Sequence, residues 1–371
     1  MALAAAPRSA AGHRGLAVVV VIGVDAHKKT HTLVALDGNG RKLAEKTVEA
    51  TDAGHAKALR WALVKFGDHD LAWGIEDCRH VSARLERSLI DAGQRVARVP
   101  TGLMARSRGS GRRPGKSDPI DAEAVARVVL REPDLPVASH DEVSWECKLL
   151  VDRREDLVGQ RTATVNRLGW RIHELDPARS PGILTYPKYR NALREWLAGQ
   201  SGIVAELALQ ELADIARLTE DITALEKRIT DRAREVAPRL YGMPGCGAVT
   251  AAKIMGETAL VTRFCGEAAF AQHAGLAPVP HWSGRTAGRM RRPKYGNRQL
   301  NSAVHRIAVT QLRLDGPGRA YYHKRLEAGD TRPMAFRALK RRIGRAVYGH
   351  LRGDHRCRQR GNGEPCQQPP S

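Results

Sequence analysis

The sequence predicts an α/β domain followed by a mainly α-helical region, and three observations lead to this fold class. The first third alternates short β-branched runs with helical patterns, as in a mixed sheet with helical crossovers. The middle third carries apolar residues at alternating spacings of three and four, the pattern of packed helices. The last third of the 371 residues is mainly helical and contains Gly-rich and strongly basic loops.

The elements of the first third follow from local patterns. The apolar run at 17–24 predicts a central strand, and the turn Asp37-Gly38-Asn39-Gly40 joins a second strand at 30–36 to a third at 41–48. The elements predicted after these strands are helix 52–66, strand 71–75, helix 80–92, strand 95–99 and helix 118–130. This order predicts a hairpin-rich sheet that gains parallel strands through helical crossovers.

Two segments of the middle third have apolar seams of helical spacing, although Arg154 and Arg161 interrupt the first one. The second seam keeps the rhythm over about three heptads. Its residues are Ile215, Leu218, Ile222, Leu225 and Ile229. Two interpretations stay open: the helices pack on each other within one chain, or they form a coiled coil that dimerises the protein.

Changes in composition predict how the chain is divided. The predicted segments are a disordered extension at 1–14, an α/β domain at 15–135, a helical coiled-coil spacer at 145–237, a helical C-terminal domain at 238–350 and a disordered tail at 351–371. The C-terminal domain opens with Pro244-Gly245-Cys246-Gly247 before a helix at 248–255. This turn resembles that of a helix-hairpin-helix motif, whose amides can face phosphates, but a Gly-rich turn is also ordinary helix punctuation.

The charge of the chain favours a polyanionic partner. Lys and Arg number 61 against 40 Asp and Glu, which gives a formal net charge of +21. An enzyme of small acidic metabolites needs only a local cationic pocket, so this surplus favours nucleic acid. The hydrophobic content of 42% excludes a wholly disordered chain. We expect no membrane-spanning segment, and the six cysteines, which lack CxxC spacing, predict a cytoplasmic protein without a disulfide framework.

Four acidic residues stand at the ends of predicted elements. Asp25 ends the first strand and Glu76 ends the fourth, while Asp118 and Asp121 lie three residues apart at a helix start. Residues three apart share a helix face, so Asp118 and Asp121 can point at one place. If the first and fourth strands are neighbours, Asp25 and Glu76 emerge side by side at one sheet edge. Hard oxygen ligands of this kind suit Mg²⁺, and two such ions can clamp a phosphate during an in-line displacement.

Each acidic residue also has an ordinary structural interpretation. Asp118, followed by Pro119 and then Asp121, has the pattern of a helix N-cap. Asp25 alone fits a turn residue, and Glu76 alone fits an ion pair with Arg79, with Asp77 as the ligand in its place. The joint occurrence of the four residues, in this strand order and in a strongly basic chain, favours the metal site.

Two stretches combine many cations with an absence of acidic residues, and such stretches suit a phosphate backbone. The candidate nucleic-acid-binding residues are Arg106, Arg108, Arg112, Arg113 and Lys116 in the first stretch, and Arg285, Arg289, Arg291, Arg292, Lys294 and Arg298 in the second. Ser283 lies beside the second set and is either an ordinary loop serine or a nucleophile toward a phosphate. Its neighbours Trp282 and Tyr295 fit base stacking or core packing equally well.

Taken in order, several short motifs resemble one protein family over residues 20–350. They are Ile22-Gly23-Val24-Asp25-Ala26-His27-Lys28, Gly74-Ile75-Glu76, Lys116-Ser117-Asp118-Pro119-Ile120-Asp121-Ala122, the turn at 244–247, Gly275-Leu276-Ala277-Pro278, Ser283-Gly284 and Gly296-Asn297-Arg298. This ordered set resembles the DEDD class of insertion-sequence transposases, the IS one-ten family. One position departs from the family, since Trp282 stands where a second small or serine residue is frequent.

The resemblance implies a ribonuclease-H-like domain of the RuvC type, a coiled coil and a serine-bearing transposase domain. It implies that Asp25, Glu76, Asp118 and Asp121 hold Mg²⁺ and that Ser283 joins covalently to DNA. Donor and target DNA, a structured guide RNA and further copies of the chain, as a dimer or tetramer, are the implied partners. Two rival hypotheses are a metal-dependent junction nuclease that cleaves with water, and a non-catalytic nucleic-acid-binding protein.

Overall fold

The protein divides into two compact units, Met1–His140 and Asp141–Ser371. The computed structural model describes residues 19–76, 79–99, 103–104, 117–132, 135, 137–139, 141–280, 283, 290–291 and 296–360. The predicted extension at 1–14 lies outside these residues. Within them, no helix is both long and apolar enough to cross a membrane. Cys147, Cys246 and Cys265 are free thiols, and Cys357 is disulfide-bonded.

The first unit is built on a five-stranded mixed sheet. Its strands are β1 (Val19–Ala26), β2 (Thr30–Leu36), β3 (Lys42–Glu49), β4 (Asp70–Glu76) and β5 (Arg95–Val99). They lie in the order β3-β2-β1-β4-β5. The first three strands are antiparallel neighbours, whereas β4 pairs parallel to β1 and β5 parallel to β4. The predicted hairpin-rich sheet with added parallel strands is confirmed.

Helices cover both faces of this sheet. They are α1 (Asp52–Phe66), α2 (Arg79–Asp91) and α3 (Asp118–Arg131). Val20, Ile22 and Val24 of β1 pack with α1 and α2, while Val21 packs on the other face with α3. Because successive side chains of a strand point to opposite faces, a strand buried on both faces is apolar throughout. This burial explains the continuous apolar run of β1.

A buried histidine pair lies between β2 and α1. His31 and His55 are 1% and 2% exposed, their rings are stacked, and their Nε2 atoms are 3.2 Å apart. Burial, with a smaller contribution from the neighbouring His55 and His27, lowers the pKa of His31 to about 4. Burial also lowers the pKa of His55. Both rings are therefore neutral at neutral pH, and protonation would place a charge in the core.

The second unit begins with two helices of 34 residues each, α4 (Glu142–Leu175) and α6 (Ile203–Val236), with α5 (Pro187–Ala198) between them. The two long helices pack on each other within the chain. The arginines that interrupt the predicted seam bridge them: the Arg154 guanidinium donates to Glu226 over 2.6 Å, and Arg161 donates to Thr219 over 3.3 Å. The structure therefore shows the first of the two interpretations, in which the two helices pack on each other within one chain.

Shorter elements complete the second unit. They are α7 (Pro238–Tyr241), α8 (Ala248–Thr258), a 3₁₀ turn (Val261–Arg263), α9 (Glu267–His273), β6 (Val279–Pro280), β7 (Met290–Arg291), α10 (Arg298–Arg313), α11 (Pro317–Glu327) and α12 (Arg332–Gln359). One hydrophobic core joins α8, α10 and α12 to Val151 of α4 and Val236 of α6. The base of the predicted spacer thus packs into the same core as the C-terminal helices.

The predicted start of a disordered tail at residue 351 is wrong, because α12 continues to Gln359. Leu351 is buried, and the buried carboxylate of Asp354 accepts hydrogen bonds from the backbone N–H groups of Arg239 and Leu240. These N–H groups open α7 and have no partner within their own helix. The end of α12 is therefore held by capping α7. Residues 361–371 lie outside the described part of the chain.

Candidate active site

The parallel pairing of β1 and β4 brings two of the predicted acidic residues to one edge of the sheet. Val24 pairs with Ile75, so Asp25 and Glu76 follow each other on adjacent strands. Val24 and Ile75 face the α1 and α2 side, and the alternation of a strand turns the next residues toward α3. Asp25 is 7% exposed and pairs with Thr32 inside the sheet, so it is not a turn residue. Asp77 lies outside the described residues.

Two glycines let α3 lie directly on the sheet. A Cβ atom at Gly23 would meet the carbonyl oxygen of Ala122 at 2.0 Å, and one at Gly74 would meet a methyl group of Val129 at 2.6 Å. Only glycine permits this approach, because every other residue carries a Cβ atom. The close packing places the N-terminus of α3, with its two carboxylates, beside the end of β1.

The start of α3 presents Asp118 and Asp121 in different environments. The side chain of Asp118 is 53% exposed, whereas Asp121 is buried. The helix N-cap is Ser117 and Asp118 is the first helical residue, so the N-cap interpretation of Asp118 is wrong. Negative charges in the first turn are stabilised by the helix dipole, and this allows two acids to stand close together.

His27 belongs to the same cluster and was missed by the sequence reasoning. Its Nε2 atom lies 3.0 Å from Oδ2 of Asp25 and 3.4 Å from Oδ1 of Asp118. The three donor atoms all lie within 4.8 Å of one another. The sequence contains a signal for this contact, because residues two apart in an extended chain project to the same side. His27 follows Asp25 by two positions.

The electrostatics of the cluster fit a divalent cation. Burial raises the pKa of the Asp25 carboxyl, the charges of Asp121 and Asp118 add to this effect, and His27 opposes it. The carboxylates therefore crowd one another, and a cation between them would relieve the repulsion. Carboxylate oxygens with one imidazole nitrogen form an ordinary donor set for a divalent metal.

Ser283 belongs to the second unit. It is exposed and lies between β6 and β7, which pair antiparallel through Val279 with Arg291 and Pro280 with Met290. We use the term serine hairpin for the paired strands β6 and β7 together with Ser283. The sequence prediction that Ser283 lies on a loop beside cations is consistent with exposed Arg291 in β7. Trp282 lies outside the described residues.

Comparison with known proteins identifies the family. A model for transposases of the DEDD IS110 class matches residues 22–171, and a model described as transposase, IS116/IS110/IS902 family, matches residues 237–323. The chain belongs to the IS116/IS110/IS902 family of transposases. The protein is accordingly an enzyme, a DNA transposase.

Similar proteins come from insertion elements of Mycobacterium and Streptomyces. A 42 kDa protein of IS900 from Mycobacterium paratuberculosis is 28% identical over 92% of this chain and 97% of its own length. A 44.8 kDa protein of IS116 from Streptomyces clavuligerus is 27% identical over 89% of this chain and 94% of its own. A 43.6 kDa protein of IS110 from Streptomyces coelicolor is 25% identical over 90% of this chain and 94% of its own length.

The first unit of the transposase has a mixed five-stranded sheet with helices on both faces. Among solved structures, RuvC of Thermus thermophilus in complex with a Holliday junction substrate is 15% identical. The match covers 32% of this chain and 99% of RuvC, with a TM-score of 0.25.

Two of the cationic residues predicted to contact nucleic acid lie in the described part of the transposase. Of that set, Arg291 lies in β7 and Arg298 opens α10, and both are exposed. The remaining ones lie outside the described residues: Arg106, Arg108, Arg112, Arg113, Lys116, Arg285, Arg289, Arg292 and Lys294. Tyr295 lies outside them as well. The nucleic-acid-binding role of both stretches therefore stays a prediction.

The predicted helix-hairpin-helix turn joins α7 to α8. Gly245 has φ +78°, and Gly247 precedes α8 without a side-chain cap. Beside the turn lies an open cavity of about 920 Å³, whose lining includes Tyr241, Thr250 and Arg306. The helix that the sequence predicted after the turn is present, and the element before the turn is four residues long.

Proposed function

We propose that this transposase cuts and rejoins DNA with two groups, a metal-binding carboxylate cluster in the first unit and a serine nucleophile in the second. The observation that carries the proposal is the docking of α3 at Gly23, which sets Asp118 and Asp121 beside Asp25. A family of DNA transposases needs a group that handles a phosphodiester, and this cluster is suited to that task.

The metal site is proposed to consist of the tetrad Asp25, Glu76, Asp118 and Asp121, with His27 as a further ligand. When bound, Mg²⁺ would supply a Lewis acid toward a phosphate oxygen. Asp25 and Asp121 are buried and so are held in place by the fold, whereas Asp118 is exposed and free to meet a substrate. Nε2 of His27 lies 3.0 Å from Asp25 and 3.4 Å from Asp118, within reach of an ion that both carboxylates would hold.

Ser283 is proposed as the nucleophile. Its Oγ atom forms a bond to phosphorus and loses its proton to solvent, while the bond from phosphorus to the 3′ oxygen breaks and that oxygen takes up a proton. The products are a phosphoserine link and a free 3′-hydroxyl, and the reverse attack rejoins the strand without external energy. Ser283 is exposed on a hairpin that also exposes Arg291, and a guanidinium can hold the non-bridging oxygens.

Further partners are proposed from charge and from the family resemblance. A net charge of +21 is enough to bind donor DNA, target DNA and a structured guide RNA together. We expect a homo-oligomer, a dimer or tetramer, acting on DNA in the cytoplasm.

The experiment is a covalent-adduct assay. End-labelled DNA carrying the element's end is incubated with the protein, Mg²⁺ and RNA from the element, and denaturing gels detect labelled protein. Ser283→Ala is expected to abolish the adduct, and Asp118→Asn to reduce it strongly. Ser201→Ala, at another exposed serine, is the matched control and keeps the adduct. An adduct that persists in Ser283→Ala means that the nucleophile is elsewhere.

A second candidate is a junction nuclease that hydrolyses DNA without a serine intermediate. It is favoured by the fact that Asp25, His27 and Asp118 meet within the first unit alone. It predicts metal-dependent cleavage with hydrolysed ends and no adduct in the wild type. The same gels therefore distinguish the two functions.

A further inference from the structure

Two ion pairs join α4 to α8, each with a buried side chain on α8 and a partly buried one on α4, and the proposed chemistry uses neither of them. Lys253 donates to Glu155 over 2.5 Å, and Lys148 donates to Oε1 of Glu257 over 2.8 Å. Lys253 and Glu257 are each 5% exposed. A buried ion pair is costly to desolvate and is weak evidence for stability, so its presence calls for another reason.

The two pairs differ in what the second carboxylate oxygen does. Oε2 of Glu257 accepts a hydrogen bond of 2.6 Å from the side-chain amide of Asn297. Asn297 caps α10, since its Oδ1 atom accepts from the N–H of Leu300 over 2.9 Å, and its own N–H donates to the carbonyl of His273 over 2.7 Å. A hydrogen bond to a carboxylate is stronger than one between neutral groups, so Glu257 fixes the rotamer of Asn297.

Asn297 follows β7 by six positions in the sequence, and its neighbour Gly296 packs against Gly275, which precedes β6. Gly296 has φ +108°, and a Cβ atom there would lie 2.6 Å from the backbone nitrogen of Gly275. The Asn301 amide donates to the carbonyls of Ala274 and Gly275 over 2.9 and 3.0 Å. The segment before β6 and the residues that open α10 are thus tied to each other at the start of α10.

Lys148 keeps the Glu257 carboxylate in position. Burial alone would lower the pKa of Lys148, but its hydrogen bonds and charge interactions with Glu257 and Asp152 outweigh burial and raise it. Lys148 therefore stays protonated and holds Oε1, which leaves Oε2 directed at Asn297.

We propose that Glu257 is a positioning residue for Ser283, acting through Asn297 to fix the chain segments that flank the serine hairpin. The inference rests on the proposed role of Ser283 as nucleophile. A misplacement of a reacting group by about 1 Å can cost on the order of 100-fold in rate. Rigid contacts beside the hairpin would therefore support the reaction rate by holding Ser283 in position.

The test is an exchange of the two partners. Asn297→Asp keeps the helix cap but sets a carboxylate against Glu257. In the double variant Glu257→Gln/Asn297→Asp, the Gln amide donates to the Asp carboxylate and restores the hydrogen bond with donor and acceptor reversed. Glu155→Gln is the matched control, because it removes the other ion pair between α4 and α8 without touching Asn297.

Three quantities are measured for each variant: adduct formation at saturating DNA, the DNA concentration for half-maximal rate, and hydrogen exchange in peptides covering 274–300. For Asn297→Asp we expect a rate loss of about tenfold or more, an unchanged half-saturating concentration and faster exchange. The double variant is expected to recover rate and protection, and Glu155→Gln to keep both. Thermal melting shows whether the variants are folded.

Any of three results would overturn the proposal. Asn297→Asp keeps the wild-type rate, the double variant recovers neither rate nor protection, or Glu155→Gln loses as much rate as Asn297→Asp. Hydrogen exchange distinguishes a failure of the positioning role of Glu257 from a failure of the proposed role of Ser283 as nucleophile. If Ser283→Ala still forms the adduct while Asn297→Asp exposes the hairpin, the anchor exists but serves no serine nucleophile. If exchange does not respond to Asn297→Asp, the anchor itself is absent.

Discussion

Replacing Gly23 with alanine perturbs the contact that assembles the carboxylate cluster. The new Cβ atom would lie 2.0 Å from the carbonyl oxygen of Ala122 and 2.5 Å from the nitrogen of Ala126. Both are backbone atoms, so no side chain can rotate away. Reaching an ordinary contact of 3.4 Å requires α3 to move by about 1.4 Å from the sheet. Asp118 and Asp121 would move with it.

Two effects of different size follow from this displacement. Overpacking of a well-packed core costs roughly 1–3 kcal/mol in free energy of unfolding, which a domain of this size survives. A shift of more than about 1 Å in the ligands is expected to lower the rate of DNA cleavage by about 100-fold. Affinity for Mg²⁺ should fall as well, because Asp25 could no longer bind the same ion as the two carboxylates of α3.

The assay combines isothermal titration of divalent metal with cleavage of element-end DNA. Gly38→Ala is the control, since its nearest non-local atom, the carbonyl oxygen of Val19, is 3.8 Å away. Gly74→Ala is expected to be milder than Gly23→Ala, because its neighbours are methyl groups of Val129 and Val125 that can rotate. A folded Gly23→Ala protein with wild-type metal affinity and cleavage would refute the reasoning.

Three further predictions concern other parts of the chain. His27→Gln should weaken binding of Mn²⁺ more than of Mg²⁺, since a nitrogen ligand suits the softer ion; equal losses in titration calorimetry would contradict a ligand role. Because the pKa of His31 is about 4 when folded and 6.5 unfolded, the folded state binds fewer protons, and about 3 kcal/mol of stability should be lost as the pH falls from 6.5 to 4. Urea unfolding at both pH values checks this, and His31→Leu should lose clearly less; an identical loss would assign the effect to other groups. Asp354→Ala should lower the free energy of unfolding by about 1–3 kcal/mol, because two backbone N–H groups of α7 lose their acceptor. Thermal melting tests it against Gln359→Ala, which is exposed and should be neutral; equal melting temperatures would show that the cap contributes nothing.

Much of the first unit was predictable because its signals are local. The apolar run of β1 marks a strand buried on both faces, and α1 spans 52–66 as its pattern predicts. The convergence of Asp25 and Glu76 was predicted on the condition that β1 and β4 are neighbours, and their parallel pairing meets that condition.

Other features depend on contacts between distant residues, which periodicity does not report. The tail prediction failed because the composition at 351–359 is polar and basic, while the helix there is held by Asp354 bonding to α7, more than 100 residues away in sequence. His27 was overlooked because its role depends on Asp118, which α3 brings to it only when the helix docks on the sheet.

The sequence by itself determined the element order, the acidic residues at the ends of β1 and β4, the helical seams and the family, because each is carried by local pattern or by motifs in order. Only the tertiary structure decided that His27 joins the carboxylates, that the helical seams meet within one chain, and that Glu257 holds Asn297 beside the serine hairpin. The physical reason is that these interactions form between side chains from different elements. Their distances are set by packing, above all by the contact that Gly23 allows between α3 and the sheet.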